Sequence, residues 1–325
     1  MHLERPIASP ISPFGLGLAA VGRPGYINLG RDADLPADRS ATVLRAHAHR
    51  LLDAAYARGV RYFDAARSYG RAEEFLATWL EARPDARDVV IGSKWGYTYT
   101  ADWRTDVEVH EVKDHSTATY DRQLAETRAL LGTRLDLYQI HSVTPDSPAL
   151  TDSALHDRLG RLAAEGVTIG LSTSGPAQAE AIRAALEITM DGEPLFGSVQ
   201  ASYNLMEPSA GPALAEAHAT GRTVIVKEAM ANGRLADRHA TGPDTVMLRE
   251  IAQEAGVPCD AVALGAVAAR PWADIVLSGA ATIEQLTSNL LAADLRLNPD
   301  QLERLAGLAE SAEAYWAHRS RLAWA

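Results

Sequence analysis

The sequence is poor in cysteine and in lysine. Among 325 residues it has one cysteine, Cys259, and three lysines, Lys94, Lys113 and Lys227, while arginine supplies the rest of the 31 basic residues. A single cysteine excludes an internal disulfide, and its place in the segment 257–260 is typical of a helix start rather than of a nucleophile pocket. Lysine offers a compact ammonium that can approach another group without a bidentate partner, so its rare use directs attention to Lys94.

Concentrated positive charge and long apolar runs are also absent. The net charge is −11, and no stretch gathers Lys or Arg without interleaved acids, which excludes the footprint of a nucleic-acid binder and disfavours an anionic membrane surface. No window approaches 18 uninterrupted apolar residues, and the first six residues lack the basic and apolar regions of a signal peptide. We therefore expect a cytoplasmic protein with a small-molecule partner; the sequence leaves its oligomeric state open.

What the sequence does contain is a regular alternation of short apolar runs and longer segments of helical periodicity. The predicted strands are 15–19, 60–64, 89–93, 135–140, 167–172, 197–202, 222–227 and 274–278. The predicted helices are 40–58, 71–82, 116–131, 151–165, 176–188, 211–220, 243–255 and 282–293, with a further helix at 259–270 and a C-terminal helix and tail over 300–325. Such alternation implies parallel strands joined by right-handed crossovers, and eight units are the number that closes a (β/α)8 TIM barrel. No linker divides the chain, so residues 1–325 are expected to form a single barrel domain with an N-terminal extension over 1–14.

Four polar residues stand at or just beyond the ends of predicted strands. Asp64 ends the second strand, Tyr69 follows it by five residues, Lys94 follows the third strand and His141 the fourth. Active sites of this fold lie at the C-terminal ends of the strands, so all four are expected on one face. A carboxylate, a phenol, an ammonium and an imidazole are the groups from which a proton donor with a shifted pKa is built.

The surrounding motifs resemble the aldo-keto reductase family. In that family the second strand ends in a catalytic Asp followed five residues later by a catalytic Tyr-Gly, as Asp64 is followed here by Tyr69-Gly70. Ser93-Lys94 and Gln139-Ile140-His141 are similar to the third-strand lysine and the fourth-strand histidine of the family. The resemblance covers most of the chain, continuing through 170–172, 199–204 and 278–282 and through Gln285 and Asn289.

The resemblance implies reversible reduction of an aldehyde or ketone by hydride from a nicotinamide. Tyr69 would be the proton donor, and because an ordinary phenol has a pKa near 10, Lys94 is expected to lower that pKa. Asp64 would hold the ammonium in place, and His141 would orient the carbonyl oxygen.

For the cofactor, the resemblance places Ser172 and Gln200 against the nicotinamide carboxamide. At the adenosine end it places four residues near a helix start whose backbone amides could serve a phosphate: Gly279, Ala280, Gln285 and Asn289. Some branches of the family carry Lys and Arg at the first and third of these positions to bind a 2′-phosphate, which this chain does not. Other branches with the same residues bind the phosphorylated cofactor, so NADP(H) is expected ahead of NAD(H).

Lys227 departs from the family pattern, because many members have a tyrosine there that stacks on the nicotinamide. Either another aromatic such as Trp95 stacks instead, or Lys227 has a polar role at the cofactor; a salt bridge to Glu228 or another acid is the structural alternative. Aromatic residues at 95, 97, 99 and 103 are predicted to line a substrate cleft, although loop anchoring explains two of them equally well. Trp316 and Trp324 could cap the site from the C-terminal tail, although packing of the terminal helix on the barrel is the commoner explanation for such residues.

Two other functions remain compatible with such a barrel. It could keep a nucleotide site but act as a non-catalytic binding or regulatory subunit. The departure of Lys227 and the following loop from the family pattern keeps this alternative open. It could also be an isomerase or aldolase forming a Schiff base at Lys94, although Tyr69 and Asp64 would then have no role. No metal site is expected, because His110 and His115 are five residues apart and would not share a helix face.

Overall fold

A closed barrel of eight parallel strands forms the centre of the protein. The structure, a computed structural model, describes residues 13–324 except the side chain of Arg31. The strands are β1 (Phe14–Gly17), β2 (Tyr62–Asp64), β3 (Val90–Trp95), β4 (Leu137–Val143), β5 (Thr168–Thr173), β6 (Ser198–Ser202), β7 (Thr223–Lys227) and β8 (Ile275–Ser278). They pair in the order β1-β8-β7-β6-β5-β4-β3-β2. The predicted (β/α)8 TIM barrel is confirmed, with strand ends within three residues of the predicted ones. Most of the predicted N-terminal extension lies outside the described residues.

Helices surround the barrel in the predicted order. They are α1 (Ala41–Ala57), α2 (Ala72–Ala82), α3 (Thr117–Leu131), α4 (Ser153–Ala164), α5 (Gln178–Leu186), α6 (Gly211–Ala219), α7 (Val246–Ala255), α8 (Cys259–Ala268), α9 (Ile283–Leu290), α10 (Pro299–Ala306) and α11 (Ala312–Arg319). The segment 300–325, predicted as one helix and a tail, contains two helices: α10 ends at Ala306, and Ser311 caps α11 by accepting from the backbone N–H of Ala314 at 3.2 Å.

Side-chain caps explain where several helices begin. Ser40, Ser116, Asp152 and Thr282 each accept a hydrogen bond from the backbone N–H three residues further on, at the starts of α1, α3, α4 and α9. Such a cap satisfies one of the amides that a helix leaves without a partner at its first turn. These four side chains therefore help to define where the helices begin.

Two short antiparallel hairpins were not predicted. One pairs Tyr97–Tyr99 with Glu111–Lys113 directly after β3, and the other pairs Thr189–Met190 with Glu193–Pro194. Strands of two or three residues are too short to show the alternation on which strand prediction depends. The first hairpin lies beside the C-terminal end of the barrel and so contributes to the site described below.

The barrel interior contains Tyr62, whose phenol lies beneath the mouth of the barrel. Two glycines make room for it: a Cβ on Gly92 would lie 2.3 Å from the Tyr62 oxygen, and a Cβ on Gly15 would lie 2.8 Å from the Tyr62 ring. The Tyr62 hydroxyl donates a hydrogen bond of 3.0 Å to Oδ2 of Asp64. The interior therefore supports the carboxylate at the end of β2.

A second apolar cluster joins the loop after β7, α7, α8, α10 and α11 outside the barrel. Cys259 is buried in it as the first residue of α8, and burial raises the pKa of its thiol to about 12, in keeping with a structural cysteine. Trp316 packs in the same cluster, as expected. Among the described helices, none has the length and hydrophobicity that a membrane crossing requires.

Candidate active site

A cavity of about 650 Å³ opens at the C-terminal ends of the strands. Asp64, Tyr69 and His141 line it at one end, and the segment from Ser278 to Asn289 lines the other. The strand-end residues singled out in the sequence are therefore brought together, as this fold requires.

Lys94 and Asp64 form a buried ion pair in the wall of the cavity. Both side chains are almost fully shielded from solvent, and Nζ of Lys94 donates to Oδ1 of Asp64 and, at 3.0 Å, to the carbonyl oxygen of Ala65. The other oxygen of Asp64 accepts from Tyr62 and, at 2.9 Å, from Nε2 of Gln200. The carboxylate is thus fully hydrogen-bonded, which a buried ion pair needs to be stable.

Tyr69 and His141 face one another across the cavity wall. Oη of Tyr69 lies 3.5 Å from Nε2 of His141, and the rings meet edge to face. Burial, and then the charges of Lys94 and Lys227, hold the pKa of His141 well below its ordinary value, so the imidazole is neutral at neutral pH. His115 fixes the start of the following turn by a 2.8 Å hydrogen bond to the His141 carbonyl oxygen.

The expected effect of Lys94 on Tyr69 is not seen. Nζ of Lys94 lies 5.0 Å from the centre of the Tyr69 ring, but the hydrogen bonds of Lys94 go to Asp64 and Ala65. Burial raises the pKa of Tyr69 well above its ordinary value, the charge of Asp64 raises it further, and Arg23 opposes them. The expectation that Lys94 lowers the pKa of Tyr69 is corrected: Asp64 neutralises the ammonium.

Arg23 is a site residue that the sequence analysis missed. Its buried guanidinium donates to the carbonyl oxygen of Ser68 at 2.7 Å and to Glu111 at 2.9 Å, and it lies 5.4 Å from the centre of the Tyr69 ring. Glu111 belongs to the hairpin that was not predicted, 88 residues away along the chain. An arginine in an irregular segment after β1 gives no sequence signal for such a contact.

The last described residue, Trp324, also lines the cavity. Its indole stacks on His110 with ring centres 4.3 Å apart, meets Tyr26 edge to face, and lies 4.6 Å from the guanidinium carbon of Arg23. Of the two positions considered for Trp324, the structure has the one at the cavity, because the chain after α11 returns to the barrel mouth.

The aromatic residues after β3 do not line the cavity. Trp95 is fully buried against His115 and Tyr120 on the outer side of the barrel, so it cannot stack on a nicotinamide. Trp103 is anchored by a 2.7 Å hydrogen bond from its indole to the Arg39 carbonyl oxygen, and it packs on Phe75. The described tyrosine and tryptophan side chains that line the cavity are instead Tyr26, Tyr69 and Trp324.

Of the two residues expected at the carboxamide, only Gln200 lines the cavity. Its Nε2 is hydrogen-bonded to Asp64, which leaves its oxygen for a ligand. Ser172 is fully buried, and its Oγ accepts from the backbone N–H of Ser142 at 2.9 Å. Ser142 has a left-handed backbone, φ 57°, so Ser172 supports the turn after His141 rather than contacting the cavity.

The four residues expected at the adenosine end, Gly279, Ala280, Gln285 and Asn289, all line the cavity. Two of the backbone amides near the start of α9 that could bind a phosphate already donate hydrogen bonds within the protein. The N–H of Ala281 donates to Oε1 of Gln285 at 2.8 Å, and the N–H of Gln285 donates to Thr282 at 3.2 Å. The helix start is thus capped by its own side chains.

Lys227 also lines the cavity, at the end of β7. Its ammonium donates to Oγ of Ser202 at 2.7 Å, and that hydroxyl donates to Oε2 of Glu228 at 2.7 Å. The carboxylate of Glu228 also accepts hydrogen bonds from Nε of Arg319, at 2.9 and 3.1 Å, and from Nη2 of Arg319. The alternative of a salt bridge between Lys227 and Glu228 is therefore wrong, because Glu228 is already paired with α11.

Comparison with known proteins agrees with this architecture. The sequence signature of the Aldo/keto reductase family matches residues 35–310. The chain belongs to this family. This aldo-keto reductase is 23% identical to the aldo-keto reductase str7 of Strobilurus tenacellus over 94% of the chain and 90% of the relative. It is 29% identical to a pyridoxal 4-dehydrogenase of Microbacterium luteolum, over 44% of the chain and 45% of that protein.

The aldo-keto reductase AKR11C1 from Bacillus halodurans, in its holo form, has the same fold. It superposes with a TM-score of 0.69 at 22% identity, covering 92% of this chain and 93% of that one. Family and fold together imply an oxidoreductase that acts on carbonyl compounds, and enzymes of this family use nicotinamide cofactors.

The cavity of this aldo-keto reductase fits such a cofactor. Its volume lies within the range of about 300–1,000 Å³ usual for cofactor sites, and it joins the Tyr69 end to the Gly279 end. The loop after β7 and the loop before α1 meet at one side of the cavity. There Arg238 of the first loop forms an ion pair with Asp34 of the second, with a shortest distance of 2.5 Å. The described cations that line it are Arg23, Lys227, Arg238 and Arg319, and none comes from the segment 278–289, which contributes Glu284.

Proposed function

We propose that this aldo-keto reductase reduces an aldehyde or ketone with a nicotinamide dinucleotide, and that Tyr69 supplies the proton. One observation carries the proposal: Oη of Tyr69 and Nε2 of His141 lie 3.5 Å apart at the wall of a cofactor-sized cavity, beside the buried Lys94–Asp64 pair. Two polar hydrogens can thus reach one carbonyl oxygen.

The bound cofactor supplies a hydride to the carbonyl carbon, and the protein must supply a proton to the oxygen. The raised pKa of Tyr69 keeps the phenol protonated over the neutral range. Transfer to the oxygen remains favourable, because a developing alkoxide is a far stronger base than a phenolate. The neutral imidazole of His141 can donate one hydrogen bond to the same oxygen and orient it.

Lys94 and Asp64 act as positioning residues, because their buried ion pair holds the cavity wall beside Tyr69 in place. The pair is neutral as a whole, so it adds little charge while Tyr69 is protonated. When Tyr69 becomes a phenolate, the Arg23 guanidinium 5.4 Å from the ring centre stabilises it. The phenolate is then reprotonated from solvent before the next turnover.

The charges at the adenosine end support NAD(H) rather than the NADP(H) that the sequence favours. A cation such as a bidentate arginine strengthens the binding of a 2′-phosphate, and the described segment 278–289 offers the carboxylate of Glu284 instead. Ribose hydroxyls, by contrast, can donate to a carboxylate or to the side-chain oxygens of this segment.

For the substrate we propose a planar or aromatic carbonyl compound. Tyr26 and Trp324 give the cavity two aromatic walls close to Tyr69, with Arg23 between them. Flat apolar rings pack well on such walls. The relative named for pyridoxal is consistent with this class.

Fluorescence titration with NADH and NADPH, followed by loss of the reduced-cofactor absorbance with a panel of aliphatic and aromatic aldehydes, tests the proposal. We expect saturable binding, tighter for NADH, and turnover of aromatic aldehydes above aliphatic ones. Saturable binding without turnover of any carbonyl would support the non-catalytic nucleotide-binding subunit instead. Absence of binding to either cofactor would reject both functions.

A further inference from the structure

Lys227 is a cavity-lining cation without a carboxylate partner. Among the described residues, no Asp or Glu oxygen lies within ion-pair distance of its ammonium, whose hydrogen bond goes to the neutral hydroxyl of Ser202 at 2.7 Å. Ser202 is the residue opposite Lys227 in the pairing of β6 with β7, so the backbone itself fixes this contact. An ammonium has three N–H donors, and one hydrogen bond leaves two for a ligand.

The other charges at this end of the cavity are paired. Asp64 is bound to Lys94, Glu228 to Arg319 and Glu111 to Arg23, so each carboxylate is balanced by its own cation. His141 is neutral. Lys227 therefore gives the reaction end of the cavity an excess positive charge.

That excess charge distinguishes the two states of a nicotinamide. The oxidised ring carries a positive charge and the reduced ring carries none. Hydride transfer would require the ring to contact a carbonyl group held at Tyr69 and His141, so the ring would lie in the compartment that Lys227 also lines. Between unit charges in one protein cavity, Coulomb's law with an effective dielectric constant near 20 gives an effect on the order of tenfold in a binding constant.

We propose that Lys227 weakens the binding of the oxidised nicotinamide relative to the reduced one and thereby biases the site toward carbonyl reduction. This inference rests on the proposed function, because it requires a nicotinamide in the cavity. It assigns to Lys227 a role that a neutral aromatic residue could not fill.

The bias has a defined pH range. Burial lowers the pKa of Lys227 to about 8, Arg319 on α11 and Lys94 on β3 lower it, and Glu228 and Asp64 raise it. Across the cavity, His141 on β4 is neutral in this range, the pKa of Tyr69 is raised so that its phenol stays protonated, and Arg23 is paired with Glu111. Lys227 is therefore charged below about pH 8 and loses its charge above it, so discrimination against the oxidised ring should be strongest near pH 7 and fade toward pH 9.

Binding of oxidised and reduced cofactor to the full chain, followed by calorimetry or by quenching of tryptophan fluorescence, tests the inference without turnover. The variants are Lys227→Met, which removes the charge, Lys227→Arg, which keeps it at all accessible pH values, and Lys113→Met. Lys113 lies on the exposed hairpin strand outside the cavity, so this last variant is matched in chemistry and net charge.

We expect Lys227→Met to lower the ratio of the dissociation constants, oxidised over reduced, by about tenfold at pH 7. Lys113→Met should leave the ratio as in the wild type, and Lys227→Arg should keep it high and constant from pH 7 to 9 while the wild-type ratio falls. An unchanged ratio in Lys227→Met, or equal weakening of both forms, would overturn the inference.

The outcomes also separate the two proposals. If neither form of the cofactor binds the wild type, the proposed function fails. If both bind and the ratio of their dissociation constants is the same in the wild type and the Lys227 variants, only the role of Lys227 fails. Should Lys227→Met not fold, as judged by circular dichroism, the pH series of the wild type against Lys227→Arg still decides. A wild-type ratio that stays constant over that range would overturn the role.

Discussion

Oη of Tyr69 lies 3.5 Å from Nε2 of His141, and both side chains line the cavity. Tyr69→Phe should lower kcat for carbonyl reduction about 10²- to 10⁴-fold, because the phenolic proton is lost while the ring remains. Cofactor affinity should stay within about twofold of the wild type.

Tyr120→Phe is the control for this variant, since Tyr120 loses a hydroxyl that contacts the Arg158 carbonyl oxygen at 3.4 Å, away from the cavity. Steady-state absorbance assays with one aromatic aldehyde give kcat, and fluorescence titration gives the cofactor affinity. Most of the activity surviving in Tyr69→Phe would remove Tyr69 from its role.

Removal of Lys94 should weaken the fold as well as the chemistry. In Lys94→Met the buried carboxylate of Asp64 keeps Tyr62 and Gln200 but loses its cation, which typically costs about 3–5 kcal/mol of unfolding free energy. The double variant with Asp64→Asn should recover a large part of this loss, because an amide needs no counterion. Urea unfolding followed by circular dichroism measures both, and equal stability of Lys94→Met and wild type would contradict the buried pair.

The barrel and the positions of Asp64, Lys94 and His141 could be predicted because they follow from local periodicity and from the rule that strand ends share a face. The partners of those side chains could not. Gln200 is 136 residues from Asp64 and Arg23 is 88 residues from Glu111, so each contact exists only after the barrel has closed.

The prediction that Lys94 lowers the pKa of Tyr69 was wrong for a related reason. A motif gives the order of the charged groups along the chain but not which carboxylate neutralises which cation. The same limit applies to Lys227, where the neighbour in sequence, Glu228, is bound by Arg319 from α11, 91 residues further along the chain.

Trp324→Ala should change substrate selection without changing cofactor binding. The indole forms a cavity wall with Tyr26 and lies over Arg23, so aromatic aldehydes lose packing surface while small aliphatic ones do not. We expect KM for aromatic aldehydes to rise about fivefold or more. Trp103→Ala, outside the cavity, serves as the comparison, and parallel changes in KM for both substrate classes would argue against a wall at position 324.

Gln285→Arg should move cofactor preference toward NADPH. A guanidinium at the adenosine end provides the charge-assisted partner for a 2′-phosphate that the described segment 278–289 does not contain. An increase of about tenfold in the ratio of affinities, NADPH over NADH, is expected. Gln253→Arg adds the same charge on exposed α7, and a similar gain there would show a general charge effect rather than a local contact.

Glu228→Gln should lower stability at neutral pH by about 1–3 kcal/mol, because Arg319 loses its charged acceptor. Although burial raises the pKa of Glu228, Arg319 and Lys227 lower it more, to about 2 from its ordinary 4.5. A carboxyl with a lowered pKa contributes stability above its unfolded value and loses it as the pH falls.

The stability difference between wild type and Glu228→Gln should therefore be full above about pH 5 and shrink as the pH falls toward 2. Urea midpoints at several pH values measure it. A difference that does not vary with pH would mean that charge on Glu228 is not what attaches α11.

Gly15 and Gly92 leave room for Tyr62, and Tyr62 in turn donates a hydrogen bond to Asp64 of the charged pair. Packing inside the barrel therefore affects the position of the carboxylate at its mouth. A methyl group at position 15 or 92 would have to displace the phenol, and the phenol would withdraw its hydrogen bond from Asp64. A random mutagenesis screen would then score Gly92→Ala as an activity mutant although residue 92 does not line the cavity. Residues in the layer beneath the cavity wall, such as Gly15, Gly92 and Tyr62, consequently belong to the site as much as to the scaffold.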